Sequence, residues 1–241
     1  VKLTDEKYMA LADFYYMAGL GQMVNGLIHN LNNYVHIMDM QLSMLNAKAE
    51  SSAAQPLGDF RERLAKSSNS AGKMVQYLQK SSRCSFFGQK DKAQLNIKDF
   101  LEWIIEFWEN DLFFKHKILC QIKLEKSDIN LLISPFYLTL CVDQGIRNAV
   151  EACQEQESQD KQTIIIDAAV DGHNLNIETT SFTVVADLDP WLAGSTSKED
   201  HLGMGLPVCA FLAGRQNWKV DMHSSGNETK FKLVIPITAQ Q

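Results

Sequence analysis

From Asp5 to about Lys48 the chain has no proline, and apolar residues recur at Leu20, Met23, Leu27, Leu31, Val35, Met38, Leu42 and Leu45. Steps of three and four residues mark one face of a long amphipathic helix. Residues 49–55 are small and polar, and Pro56 suits the first turn of a second helix. Leu57, Phe60, Leu64, Ala71, Met74, Val75 and Leu78 then repeat the helical spacing to about Lys80. Two helices joined by a short loop form an antiparallel hairpin. One hairpin cannot bury two apolar stripes, so pairing with a second copy into a homodimeric four-helix bundle is expected.

The serines, Gly88 and charges of residues 81–92 have the composition of a linker. They divide the chain into a hairpin over 1–82, a linker over 83–93 and a second domain over 94–241. In that domain residues 98–113 predict a helix, 118–125 a strand, and 136–153 a helix opening just after Pro135. Strands over 163–170 and 174–178 meet at the turn Asp171-Gly172-His173-Asn174. A helix near 206–212 precedes strands at 219–223 and 230–236. Helices mixed with a mainly antiparallel, hairpin-linked sheet indicate an α+β sandwich.

Composition excludes several classes. Apolar residues make up 45% of the chain and charged ones 22%, which argues against disorder. A net charge of −6 excludes a broad nucleic-acid surface. No apolar run approaches the roughly 18 residues of a spanning helix, and no secretory signal is visible at the start. The chain opens on Val1 rather than Met, as a piece of a longer protein with an upstream segment would. Five cysteines without a C-x-x-C pair suggest neither a disulfide framework nor a structural zinc site, which fits a reducing, cytoplasmic compartment.

One histidine stands on the wrong side of the first helix. His29 is about 200° from both Leu27 and Leu31, and Asn25, Asn32, Asn33 and His36 share its face. Spacing alone favours a solvated polar face. The alternative is a nucleophile, because a neutral imidazole is a good one near neutral pH and a rigid helix leaves it open to partners.

The segment Leu20-Gly21-Gln22-Met23-Val24-Asn25-Gly26-Leu27-Ile28-His29-Asn30-Leu31-Asn32-Asn33 resembles the phosphoacceptor box of the sensor histidine kinases of two-component signalling. The resemblance covers nearly the whole chain. It implies a dimerisation and phosphotransfer hairpin followed by an ATPase-like sandwich of the Bergerat type, with His29 as phosphoacceptor. It also implies a proton acceptor at the next position, but Asn30 cannot take up a proton at neutral pH. Asn33 falls where the family's carboxamide or hydroxyl orients water against a regulator's aspartyl phosphate. That role needs no proton acceptor.

Gln144, Asn148 and Glu151 lie on one face of the helix after Pro135, similar to the family's asparagine box. The resemblance makes Asn148 the ligand of a Mg²⁺ ion bridging ATP phosphates, with Gln144 replacing the more usual Asn. Ser195-Thr196-Ser197-Lys198 and Leu202-Gly203-Met204-Gly205-Leu206 resemble the nucleotide lid and the last glycine box, where Lys198, Gly203, Gly205 and Leu206 would approach phosphate. His201 stands where another glycine is favoured. The adenine-recognising box is altered: Thr179 replaces its aspartate, and Ser181 and Thr183 replace its glycines. Ser181, Phe182 and Thr183 are expected to crowd the pocket, while Asp187 and Asp189 look like surface residues.

These readings predict a two-component protein that exchanges phosphate at His29 with a response-regulator receiver, or dephosphorylates that receiver through Asn33, and binds Mg²⁺ and ATP weakly or not at all. The alternatives are an ATP-dependent histidine kinase with unusual boxes, and a non-catalytic dimeric scaffold that binds a regulator.

Overall fold

The proline-free opening run forms one helix, α1 (Asp5–Ser51), in the computed structural model, which describes residues 3–51, 57–126, 128–156, 160–183, 189–196 and 202–237. At 47 residues α1 is about 70 Å long. Two apolar stripes run down it rather than one. The inner stripe carries Met23 and Leu45 buried, with Leu20, Leu27, Leu31 and Met38 partly buried. Val35 and Leu42, expected on the same face, belong instead to an exposed stripe with Met17, Val24 and Ile28. Those residues are spaced by seven and four, the period of a coiled-coil seam. α1 continues to Ser51, through the start of the stretch expected to be the interhelical loop; Pro56 lies outside the described residues.

The second helix, α2 (Leu57–Phe87), packs antiparallel on α1, with Ser70 Oγ donating to the Tyr34 carbonyl at 2.9 Å. It runs seven residues past Lys80, through the stretch expected to be linker. Ser82 and Ser85 there are exposed, whereas Phe87 is buried and stacks on Trp103 at 3.8 Å between centroids. No proline or glycine stands between Gly72 and Gly88 to end the helix. The connection therefore shrinks to residues 88–92.

The second domain begins with β1 (Ala93–Asn96), α3 (Ile97–Trp108) and α4 (Leu112–Lys117). The single helix expected over 98–113 breaks because Asp111 caps α4, its carboxylate accepting from Phe114 N at 2.8 Å. Then come β2 (Ile118–Leu124), β3 (Asn130–Ile133), α5 (Pro135–Glu155), β4 (Gln162–Asp171) and β5 (Asn174–Ser181). The order closes with α6 (Gly205–Arg215), β6 (Lys219–Ser225) and β7 (Glu228–Pro236). The main sheet has the order β2-β4-β5-β7-β6; β2 and β4 are parallel and every other pairing is antiparallel. β1 and β3 pair separately.

Alternation fixes which face of the sheet is covered. Ile164, Ile166, Ala168, Leu175, Ile177, Leu233 and Ile235 are buried from one face. They meet the buried residues of α3, α5 and α6, among them Phe100, Leu138, Ile146 and Leu212. The result is a two-layer α+β sandwich, as expected. Among the described residues no helix is long and apolar enough to cross a membrane.

The first half of α1 also belongs to this core. Ala12 is fully buried, Tyr8 stacks on Phe211 at 4.6 Å, and Tyr16 Oη donates to the Cys84 carbonyl at 2.5 Å. Burial and the nearby Cys84 push the Tyr16 phenol up to about 12.

Candidate functional site

Two places matter, a cavity in the second domain and the turn of α1 around His29. The cavity, about 410 Å³, opens between α5, the loop before α6 and the ends of β5 and β7. Gln144, Asn148 and Glu151 all line it, as do Gly203, Gly205 and Leu206. Gly203 adopts φ +61°, and a Cβ there would lie 2.7 Å from the Gly194 carbonyl carbon, so the loop closes only with glycine. Gly205 lies under the Gln144 amide, where a Cβ would meet Oε1 at 2.2 Å. Met204 makes no side-chain cap to α6, which leaves the first N–H groups of that helix without one. Ser195 and Thr196 line the cavity; Lys198 and His201 lie outside the described residues.

Asn148 Nδ2 is buried with no hydrogen-bond partner. An unsatisfied amide at this place fits a phosphate oxygen or, through its other end, a metal ion. The opposite end of the cavity fits a nucleotide poorly. Thr179 and Ser181 form its floor and are buried, and Ser181 Oγ lies 2.9 Å from Thr183 Oγ1. Thr229 closes this hydroxyl cluster by donating to the Thr183 carbonyl at 2.8 Å. At position 179 a threonine hydroxyl stands where the resemblance implies a carboxylate to accept from an adenine amino group. Phe182, expected to crowd the pocket, is 44% exposed and does not line the cavity. Asp187 lies outside the described residues, and Asp189 is an exposed turn residue accepting from Trp191 N at 3.0 Å. The phosphate end fits ATP and Mg²⁺ and the base end does not, so no step below runs through ATP.

One wall of the cavity comes from α1, through Tyr15, Ala18, Gly19 and Gln22. Arg147 donates to Gln22 and pairs with Asp143 at 3.1 Å, and Trp108 Nε1 donates to the same carboxylate at 3.0 Å. Sequence reasoning missed this wall. The signal was available in the glycines inside α1, each of which costs a helix about 1 kcal/mol relative to alanine. At Gly19 the Arg147 guanidinium would lie 3.4 Å from a Cβ, and at Gly26 the carbonyl of Asn110 would lie 1.7 Å from one.

His29 lies seven residues beyond Gln22, on the same face of α1 and about 10 Å further along it. It is exposed, as are Asn25, Asn32 and His36. Asn33 Nδ2 stands 3.4 Å from His29 Nε2. An amide donor in that place puts the ring proton on Nδ1 and makes the Nε2 lone pair the acceptor of a long, solvent-exposed hydrogen bond. Below them on this face, Ile37, Met40 and Met44 form an exposed apolar strip. Asn30 is occupied differently from its neighbours. Its Nδ2 donates to Tyr77 Oη at 3.0 Å and to Asn110 Oδ1 at 3.2 Å, and its Oδ1 accepts from Lys115 Nζ at 3.0 Å.

Comparison with solved structures places this architecture. The nucleotide-free catalytic domain of histidine kinase ThkA superposes on 61% of the chain and 96% of its own, with a TM-score of 0.52 at 15% identity. Full-length ShkA in complex with AMPPNP covers 97% of the chain, which spans 46% of ShkA, at a TM-score of 0.52 and 15% identity. ThkA in complex with the response regulator protein TrrA covers 98% of the chain and 68% of its own, at 0.51 and 12%. The fold is that of a histidine kinase. Within the histidine-kinase fold, hairpin and sandwich are both present, in the order the resemblance implied. No protein-family model matches the chain, and no curated protein does.

Proposed function

We propose that this protein acts in two-component signalling, exchanging phosphate at His29 with a response-regulator receiver or removing it from the receiver through Asn33. The observation that carries this reading is the exposed His29 imidazole with the Asn33 amide 3.4 Å from its Nε2. In exchange, the Asn33 amide lets go of Nε2, the freed lone pair attacks phosphorus, and the bond to the receiver's aspartyl oxygen breaks with its electron pair leaving on the carboxylate, whose charge a divalent cation held by the receiver would neutralise. The Nδ1 proton stays on the ring, so no strong base beside His29 is required. In hydrolysis, a water held by the Asn33 carboxamide attacks instead, and its proton leaves with inorganic phosphate. The exposed strip of Ile37, Met40 and Met44 gives a receiver apolar surface to rest on.

Two features support weak ATP binding and the loss of autophosphorylation: Thr179 in place of a carboxylate, and an amide at position 30. The exposed seam on α1, with Leu64, Val75 and Leu78 exposed on α2, supports a homodimer. Five free thiols support a cytoplasmic setting.

The test uses receiver domains phosphorylated with labelled acetyl phosphate. A receiver that passes label to this protein, with the label abolished by His29→Ala, establishes exchange. A label-free protein that shortens the receiver phosphate's lifetime, slowed about 10²-fold by Asn33→Ala, establishes hydrolysis. If neither substitution changes the lifetime on any receiver that binds, the chain is a scaffold.

A further inference from the structure

We propose that Asn30 is the hub of a clip that holds the second domain on α1 beside His29, and that the direction of its hydrogen bonds requires an amide there rather than a carboxylate. The directions can be assigned one after another. Asn110 Nδ2 donates to the Phe107 carbonyl at 2.9 Å, which fixes that side chain with Oδ1 toward α1 as an acceptor. Tyr77 Oη on α2 donates to that same Oδ1. The phenol has then spent its proton and offers only lone pairs. Whatever stands at position 30 must therefore donate, and Asn30 donates to both Tyr77 and Asn110. Its remaining oxygen takes the Lys115 ammonium. Every hydrogen-bonding direction at the junction is satisfied by Asn30.

A carboxylate at this position keeps the Lys115 contact but faces Asn110 Oδ1 with no proton to offer. The backbone leaves little room for adjustment, since α1 touches the α3–α4 turn through Gly26, where any Cβ would collide with the Asn110 carbonyl. Asn110 itself is buried. Position 30 thus exchanges proton-acceptor chemistry for domain positioning, and the docked domain leaves His29 open while Lys115 adds a cation one residue away. This last consequence rests on the function proposed above. The docking itself is measured without phosphate, so the two can fail separately.

The test follows energy transfer between dyes placed through non-natural amino acids at the exposed Lys73 on α2 and Lys123 on β2, in the full chain. Asn30→Asp should lower the ratio of docked to released molecules about ten- to hundred-fold, the effect of leaving a buried acceptor without a donor. Gly26→Ala should release the domain as well, although alanine favours the helix, and circular dichroism should show helix content intact. Unchanged transfer in Gly26→Ala would show that the docking does not exist. Release by Gly26→Ala with full docking of Asn30→Asp would show that docking exists but amide polarity does not hold it. Either result overturns the proposal.

Discussion

A lysine placed in the exposed seam of α1 should convert the protein from dimer to monomer. Ile28, Val35 and Leu42 on α1 and Leu64, Val75 and Leu78 on α2 are each between 46% and 54% exposed. Burying an aliphatic side chain fully is worth about 1.5–3 kcal/mol, so completing the burial of each adds about 1 kcal/mol. Over two chains that is on the order of 12 kcal/mol, comparable with the roughly 4–15 kcal/mol cost of association. Val35→Lys removes this contribution and sets an unpaired ammonium in each half of the interface. Losing about 2–4 kcal/mol per copy, and so about 4–8 kcal/mol per dimer, weakens association by about 10³- to 10⁶-fold. Sedimentation velocity at about 10 μM should then show a folded monomer in place of a dimer. Ile37→Lys is the control: Ile37 is 41% exposed but lies about 200° around the helix from Val35, so this variant should remain dimeric. A folded wild-type monomer at that concentration, or a Val35→Lys dimer, would refute the seam.

Calorimetry with ATP and Mg²⁺ should find an affinity in the millimolar range or weaker, about −4 kcal/mol, and the combined Thr179→Asp, Ser181→Gly and Thr183→Gly change should strengthen it; tight binding by the unaltered protein would instead support an active kinase. Stability should fall in alkali. Burial raises the Cys120 thiol to about 12 and the Cys153 thiol to about 11, and Tyr16 stands at about 12, against ordinary values of 9.0 for a thiol and 10.0 for a phenol. Each group holds its proton more tightly folded than unfolded, so its contribution is complete below about pH 9 and is lost as pH rises toward 12. The urea midpoint should be lower at about pH 11 than at about pH 8; an unchanged midpoint would mean that these groups titrate normally.

The long helix, the chain positions of the five strands of the main sheet and the face of α5 that enters the cavity were legible because each follows one period over several residues. Gln144, Asn148 and Glu151 needed only the helical repeat to be placed together. Segments governed by two periods or by single contacts were not legible. Val35 and Leu42 fit the inner stripe of α1 by local spacing, but they fall on the outer seam once the whole helix is followed. Ser81, Ser82 and Ser85 masked the helical signal of Cys84 and Phe87, whose burial depends on Trp103 in another element. The four-residue strands β1 and β3 are too short to show alternation. Asn30 could be recognised as a departure from the family pattern, but its new partners Tyr77, Asn110 and Lys115 are 47, 80 and 85 residues away.

The α1 wall of the cavity makes ligand binding and helix position interdependent. A molecule seated against Asn148 and the Gly203–Gly205 loop would also touch the helix that carries His29 two turns further on. Its affinity would then contain a share of the free energy that holds the domain on α1. A compound that prefers the docked form tenfold would shift that equilibrium by about 1.4 kcal/mol, and docking would tighten the compound by the same factor. Such coupling requires no phosphoryl transfer from the bound molecule. A cavity with no remaining catalytic task would still report its occupancy to the phosphoacceptor helix, in the manner of a strain gauge bonded to a beam.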